Sequence, residues 1–393
     1  MEPFEFFTVP RLVFGRGTAQ RIGELAAEWG RTALVVTNAS QAGDGGITDR
    51  LSERLTQAGV RTVVWQQRGE PVIDDVEQAT AVARQASCDL VIGLGGGSAI
   101  DAAKAVAGLL SNGGSPLDYL EVIGRGQQLS RPAAPWIAVP TTAGTGAEVT
   151  RNAVLGCPEK RFKASLRSAY LLARVALVDA ELAVGVSREV TASSGMDALC
   201  QLIESYTSNR AQPLTDALAL PGIALAARAL PRACADGRDL AAREDLALAA
   251  LWSGMALTNV GLGAVHGFAA PLGANFPVPH GTVCAALLPH VMAANVQALR
   301  SAQPDHPWLQ RYAAIGRTLT GQAGLTVPEA IQNGLDFVQE LVHRLEIPGL
   351  RRFGLGEHQV AEMVGLARQA SSMRYNPVVL SEAALSDILR RAL

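Results

Sequence analysis

Cysteine is scarce and scattered. The 393 residues include 5, Cys88, Cys157, Cys200, Cys234 and Cys284, an odd number with no CxxC pair. That excludes a disulfide framework and a cysteine-knuckle metal site, and it predicts a reducing, cytoplasmic setting. A basic excess is missing as well. Lys and Arg total 34 against 36 Asp and Glu, so no stripe exists to neutralise a phosphate backbone, and no nucleic-acid partner is expected. The opening MEPFEFFTVP has no basic stretch followed by an apolar run, and no signal peptide is expected.

The largest gap is in charge. From Leu246 to Leu299 there is no Asp, Glu, Lys or Arg. Ser253, Thr258, Asn259 and several glycines interrupt the stretch, and Pro271, Pro277, Pro279 and Pro289 break its second half. It therefore reads as buried core, not as a membrane span, and no membrane association is expected. His266, His280 and His290 lie inside it. Imidazoles in an uncharged interior need partners, which is the first hint of a site.

What is present is apolar material: 48% hydrophobic and 18% charged residues, enough for a large core and, by length, two domains. In the first half, apolar strands alternate with helices. Strands are expected at 33–37, 62–65, 89–94, 136–140 and 175–179, helices at 18–29, 48–58, 74–86 and 99–110, and a hairpin from FEFF (4–7) and RLVF (11–14). This is the pattern of a parallel sheet with covered faces. After about residue 182 the chain turns Ala- and Leu-rich with helical spacing. The expectation is a Rossmann-like α/β domain over 1–182 and an all-helical domain over 183–393.

The segment DLVIGLGGGSAIDAAKAVA (89–107) runs strand, three glycines, Ser98, helix. Glycines let backbone amides approach an anion, and the helix N-terminus adds orphan N–H groups and a favourable dipole. Ser98 is expected to cap that helix. The spacing matches neither a Walker loop nor GxGxxG. A second polar turn, Thr141-Thr142-Ala143-Gly144-Thr145-Gly146, follows the strand WIAVP. Two such turns at the C-terminal edge of one sheet point to an extended ligand such as a dinucleotide; a purely structural role is the alternative.

Asp197 and Gln201 are four apart and Glu204 lies seven from Asp197, so all three share roughly one helix face. His266 follows a glycine-rich turn, and His280 sits in PVPHG. One carboxylate with two imidazoles suits Fe2+ or Zn2+, although isolated histidines are also common as satisfied core residues.

GGGSAIDAAKA, AVPTTAGTGAEVTRNAVL, SGMDAL, NVGLGAVHGFAAPLGANFPVPHG and NPVVL occur in this order. With these motifs the chain resembles the iron-containing (group III) alcohol dehydrogenases, related in fold to glycerol dehydrogenase and dehydroquinate synthase. The likeness spans nearly the whole chain. It implies a dinucleotide on the N-terminal domain and a divalent metal held by the helical one, in the cleft between them. Carried over, Gly96, Gly97 and Ser98 hold the pyrophosphate. Asp101 lies near the nicotinamide ribose or carboxamide, Thr141, Thr142 and Thr145 line the cofactor, Lys163 reaches the ribose, and Leu182 packs near the adenosine. Asp197, His266 and His280 act as catalytic metal ligands, with position 201 as the fourth.

The chain departs from the family pattern at three positions. Gln201 replaces a histidine, and a neutral amide oxygen is a poorer ligand for Fe2+ or Zn2+. Ala270 stands where a second histidine helps relay protons. Asn38 replaces an aspartate that binds the adenosine ribose; Asn38 or Ser40 can bond a 2′-phosphate, but no Arg or Lys adjoins them, so NAD is favoured over NADP without excluding it. The resemblance implies hydride transfer between NAD(P)(H) and a small alcohol or aldehyde. Asn152 and Asn259 are candidate substrate contacts, Phe268, Ala270, Leu272 and Phe276 a candidate apolar lining, and a homodimer is expected. A maleylacetate-type reductase, a polyol dehydrogenase and a catalytically impaired cofactor-binding homologue are the alternatives. A sugar cyclase is disfavoured, because the uncharged stretch offers no cations to a phosphorylated substrate.

Overall fold

The structure, a computed structural model, describes residues 3–38 and 46–393; Ser40 lies outside the described residues. The chain divides into two compact units, Phe7–Gly185 and Val186–Leu393, with the segment ending at Phe6 grouping with the second.

In the first unit, β1 (Leu12–Phe14), β2 (Thr32–Asn38), β3 (Arg61–Gln67), β4 (Leu90–Gly95), β5 (Trp136–Pro140) and β8 (Val175–Val178) form a parallel sheet in the order β1-β8-β5-β4-β2-β3. A separate antiparallel hairpin joins β6 (Asn152–Cys157) to β7 (Phe162–Arg167). Helices α1 (Ile22–Ala27), α2 (Ile47–Gln57), α3 (Ile73–Gln85), α4 (Gly97–Asn112) and the short α5 (Pro116–Tyr119) complete the unit. Every residue of β4 and β5 is buried, as expected of central parallel strands. Each large apolar side chain so placed is worth about 1.5–3 kcal/mol over exposure. Helix α4 lies directly on β4 because both are small there: a Cβ on Gly93 would sit 2.9 Å from the Cβ of Ala103. The register pairs Thr37 with Leu94 and Gly95 with Pro140, which brings the C-terminal ends of β2, β4 and β5 to one edge.

The expected N-terminal hairpin does not form. Leu12–Phe14 pairs in parallel with Ala176–Val178, and residues 4–7 carry no strand. Pro10 cannot donate to a ladder, and the apolar edge of β8 offers Leu12–Phe14 a partner. The β6–β7 hairpin was not foreseen, although Pro158 and the left-handed Arg161 mark its turn.

The second unit is helical: α6 (Arg188–Thr207), α7 (Pro213–Ala235), α8 (Leu240–Val260), α9 (Ala264–Asn275), α10 (His280–Ala302), α11 (Pro307–Thr320), α12 (Val327–Arg344), α13 (Val360–Ala367) and α14 (Glu382–Arg391). Helices α7 and α10 are long and apolar enough to cross a membrane by length and composition, but 50% and 72% of their most apolar windows are buried. Close helix contact is built on glycine. A Cβ on Gly281, in the first turn of α10, would overlap the carbonyl oxygen of Ser193 on α6.

Candidate functional site

In the helical unit, three elements deliver side chains to one point. Asp197 lies in the middle of α6, His266 in the first turn of α9, and His280 is the first residue of α10. The turn between α8 and α9 depends on glycine. Gly261 has φ +72°, and a Cβ on Gly263 would fall 2.7 Å from an oxygen of Glu204. Those absences let Glu204 reach the start of α9. Its carboxylate accepts the Val265 N–H at 2.7 Å and the His266 N–H at 3.4 Å. Asn376, from the NPVVL motif, accepts the Ala264 N–H at 3.1 Å and exchanges hydrogen bonds with Asn295. A carboxylate at a helix N-terminus also meets the positive end of the dipole.

Glu204 sets the histidine tautomer. Its Oε2 lies 2.5 Å from His266 Nδ1, so Nδ1 donates to Glu204 and Nε2 is the nitrogen turned to the other side. That Nε2 is 3.2 Å from Asp197 Oδ1, and His280 Nε2 is 3.7 Å from the same oxygen. Cys284, one turn after His280 on α10, places its sulfur 3.7 Å from both Nε2 atoms. The ligand atoms of Asp197, His266, His280 and Cys284 all lie within 4.8 Å of one another. Cys200 lies behind, its sulfur 4.0 Å from His266 Nδ1.

Asp197 is 2% exposed and His266 8%. Burial alone would lower both imidazoles, but the facing Cys284 sulfur and carboxylates outweigh it. His266 is held well above its ordinary range, and His280 is pushed up to about 9. Burial would raise the Asp197 carboxyl; the two imidazoles reverse this and hold it low. Burial also raises the thiols, Cys200 to about 12 and Cys284 well above the ordinary range. A carboxylate oxygen, two imidazole nitrogens and a sulfur converge on one point. A divalent cation fits this donor set, and without one the site must hold extra protons.

Not every expected ligand joins this cluster in the same way. Gln201 is buried, and its Oε1 accepts the Ser253 hydroxyl at 2.7 Å. His290 belongs to no such cluster among the described residues; burial lowers it, with Arg391 and Asp387 nearby. Phe268 and Leu272 are wholly buried in the helical unit, which corrects the expectation that they line a substrate surface: on α9 their face points into the core. Ala270 and Phe276 are half-buried. Asn259 donates its amide to the Met255 carbonyl at 2.7 Å, a bond within its own helix. The sequence places Glu204 only on the helix face of Asp197, and it assigns no role to Cys200 or Cys284. The signal was spacing: residues 197, 200, 201 and 204 share a face of one helix, and 280 and 284 a face of another.

In the α/β unit, the glycine turn sits where β4 meets α4. Asn38, at the end of β2, accepts the Gly96 N–H at 2.8 Å. A Cβ on Gly97 would meet the Thr145 methyl at 2.7 Å, and one on Gly96 the Thr142 hydroxyl at 3.2 Å. The two polar turns are thus interlocked. Gly96, not Ser98, is the N-cap, and no side chain caps α4. Ser98 lies inside the first turn, where a hydroxyl cannot take the capping position. Thr141 is buried and its N–H bonds the Gly95 carbonyl at 3.0 Å. Asp101 accepts from Lys104 at 3.2 Å and from the Val154 N–H at 3.1 Å. Lys163 pairs with Glu70. Leu182 is buried in the apolar core of the unit.

The chain matches the family description "Iron-containing alcohol dehydrogenase" over residues 10–180 and "Fe-containing alcohol dehydrogenase family, C-terminal" over 191–393. It is 37% identical over 388 residues to "Probable alcohol dehydrogenase EutG" of Escherichia coli (strain K12), covering 98% of this chain and 90% of that one. It is 34% identical over 391 residues to the 1,3-propanediol dehydrogenase of Klebsiella pneumoniae, covering 98% of each. Among solved structures, a 1,3-propanediol oxidoreductase superposes with a TM-score of 0.92 at 32% identity over the full length of both chains. With its two halves matched in order and a carboxylate–histidine cluster at the heart of the second, the chain belongs to the iron-containing alcohol dehydrogenase family.

Proposed function

We propose that this protein interconverts small alcohols and aldehydes with NAD(P)(H), favouring NAD, with Asp197, His266 and His280 holding a divalent metal. The observation that carries this is the approach of Asp197 Oδ1 to His266 Nε2 at 3.2 Å and to His280 Nε2 at 3.7 Å, in a chain from this family. When bound, the nicotinamide supplies the hydride donor or acceptor, and the cation supplies Lewis acidity toward the substrate oxygen.

The protein's own groups position and neutralise. Glu204 fixes His266 with Nε2 turned toward Asp197. Asp197 brings the negative charge that a buried dication requires. On the α/β unit, the uncapped first turn of α4 offers N–H groups to a pyrophosphate. Gly96 and Gly97 make room for the second turn, which sets Thr142 and Thr145 beside Ser98 as hydroxyl donors. Asp101, Thr141, Lys163 and Leu182 are assigned to the cofactor on the family resemblance alone. Asn38 carries no charge to repel a 2′-phosphate, and no Lys or Arg adjoins it in the sequence to attract one. The named relatives support a small, uncharged substrate such as propane-1,3-diol.

The test is steady-state oxidation of ethanol, 1-propanol and 1,3-propanediol with NAD+ and NADP+, before and after chelation. Turnover that chelation abolishes and added metal restores is expected. Tight NADH binding with no turnover of any alcohol or aldehyde, metal added, favours the impaired-homologue reading instead.

A further inference from the structure

The family's fourth metal ligand is missing at position 201, and the structure supplies another candidate. Gln201 is a weak ligand whose oxygen already accepts the Ser253 hydroxyl. Cys284, by contrast, is fully buried and faces the same centre as Asp197, His266 and His280. We propose that Cys284 is the fourth protein ligand, forming an Asp–His–His–Cys set whose thiolate favours zinc over Fe2+.

Distances separate ligands from supporting groups. Metal bonds of ~2.0–2.3 Å place neighbouring tetrahedral ligand atoms ~3.3–3.7 Å apart. The Asp197–His266, Asp197–His280, Cys284–His266 and Cys284–His280 separations are 3.2, 3.7, 3.7 and 3.7 Å. Those four edges match that figure with little adjustment. The second cluster, Cys200, Glu204 and His266, fails the same comparison. Its Glu204–His266 separation of 2.5 Å is a hydrogen bond, too short for two ligands around one cation, and it occupies the Nδ1 side. Cys200 and Glu204 are therefore orienting groups behind the ligands. Geometry also explains how Cys284 can substitute. It stands one helical turn beyond His280, so the two project from one face of α10 toward the same point. Metal binding displaces the thiol proton to solvent, and the thiolate joins Asp197 in neutralising the dication. Softness then decides the metal, since thiolate ligands select zinc over Fe2+.

This inference rests on the reading of Asp197, His266 and His280 as metal ligands, and its test reads ligation without turnover. Full-length protein is stripped with chelator and reloaded with cobalt(II) or zinc. The cobalt form is expected to show a sulfur-to-cobalt charge-transfer band in the near ultraviolet. Cys284→Ser should lose the band and bind cobalt about 10–100-fold more weakly, while Cys200→Ser keeps the band. Zinc X-ray absorption of the unmutated protein is expected to show one sulfur at about 2.3 Å, and it needs no variant to fold. A shell of nitrogen and oxygen only, or a band that survives Cys284→Ser, overturns the proposal. Turnover with such a shell would leave the dehydrogenase reading standing and sink this one. A sulfur-ligated metal without turnover would do the reverse.

Discussion

Each unit buries a cluster of ionisable side chains, and the two differ in how their hydrogen bonds close. In the α/β unit, Lys104 is wholly buried, yet its three N–H donors meet three acceptors: Asp101 at 3.2 Å, the Thr150 hydroxyl at 2.7 Å and the Asn152 carbonyl at 2.6 Å. The Lys104 ammonium is therefore satisfied within the fold. In the helical unit, Asp197, His266, His280 and Cys284 turn lone pairs toward one another. Burial and charge alone therefore do not mark a binding site. An imbalance of donors and acceptors does.

The largest expected effect tests that imbalance. His266→Ala should lower kcat by about 10³-fold or more, the several kcal/mol expected of a Lewis acid, with metal content falling in parallel. Lys104→Met should leave metal content unchanged but destabilise folding by about 1–3 kcal/mol, because half-buried Asp101 and the Asn152 carbonyl lose their donor; chemical denaturation measures it. If Lys104→Met emptied the metal site, the contrast between the clusters would fail.

Glu148, close to Lys104, sharpens the contrast through pH. Burial pushes its carboxyl up to about 7 from the ordinary 4.5. The folded state thus binds this proton more tightly than the unfolded state does. Its contribution to stability is complete below pH 4.5 and is lost as pH rises through about 7, on the order of 3 kcal/mol in all. Glu148→Gln should therefore gain stability relative to the unmodified chain across that window, and denaturation midpoints at pH 4.5 and 8 check it. The smallest effect expected is at the helical site: Glu204→Gln should weaken metal binding about 10–100-fold by loosening the His266 tautomer. An unchanged affinity in competition with a chelator would show that Glu204 only caps α9.

Much of this was legible in the sequence where burial dictates composition. The fully apolar strands β4, β5 and β8 and the Ala-rich helices leave a strong periodic signal. Helix α9 does not: Gly261, Gly263, Gly267 and Pro271 are poor helix formers, and only packing against Asn376 and Glu204 explains its start. The N-terminal hairpin misled because local alternation cannot reveal a partner strand at 175–178. Motif order pointed to Asp197, His266 and His280, yet scattered cysteines gave no sign that Cys200 and Cys284 converge, since α6 and α10 are far apart in sequence. Counting cysteines along the chain says nothing about which helix faces they share.

Gly281 of α10 lies against α6. No side chain fits between it and the Ser193 carbonyl, one turn before Asp197. Backbone spacing between α6 and α10 therefore sets the separation of Asp197 from His280, the gap that a cation bound as proposed would span. A deep mutational scan should find position 281 as intolerant as the ligands themselves, although it touches neither metal nor substrate. Even alanine there would prise the jaws open.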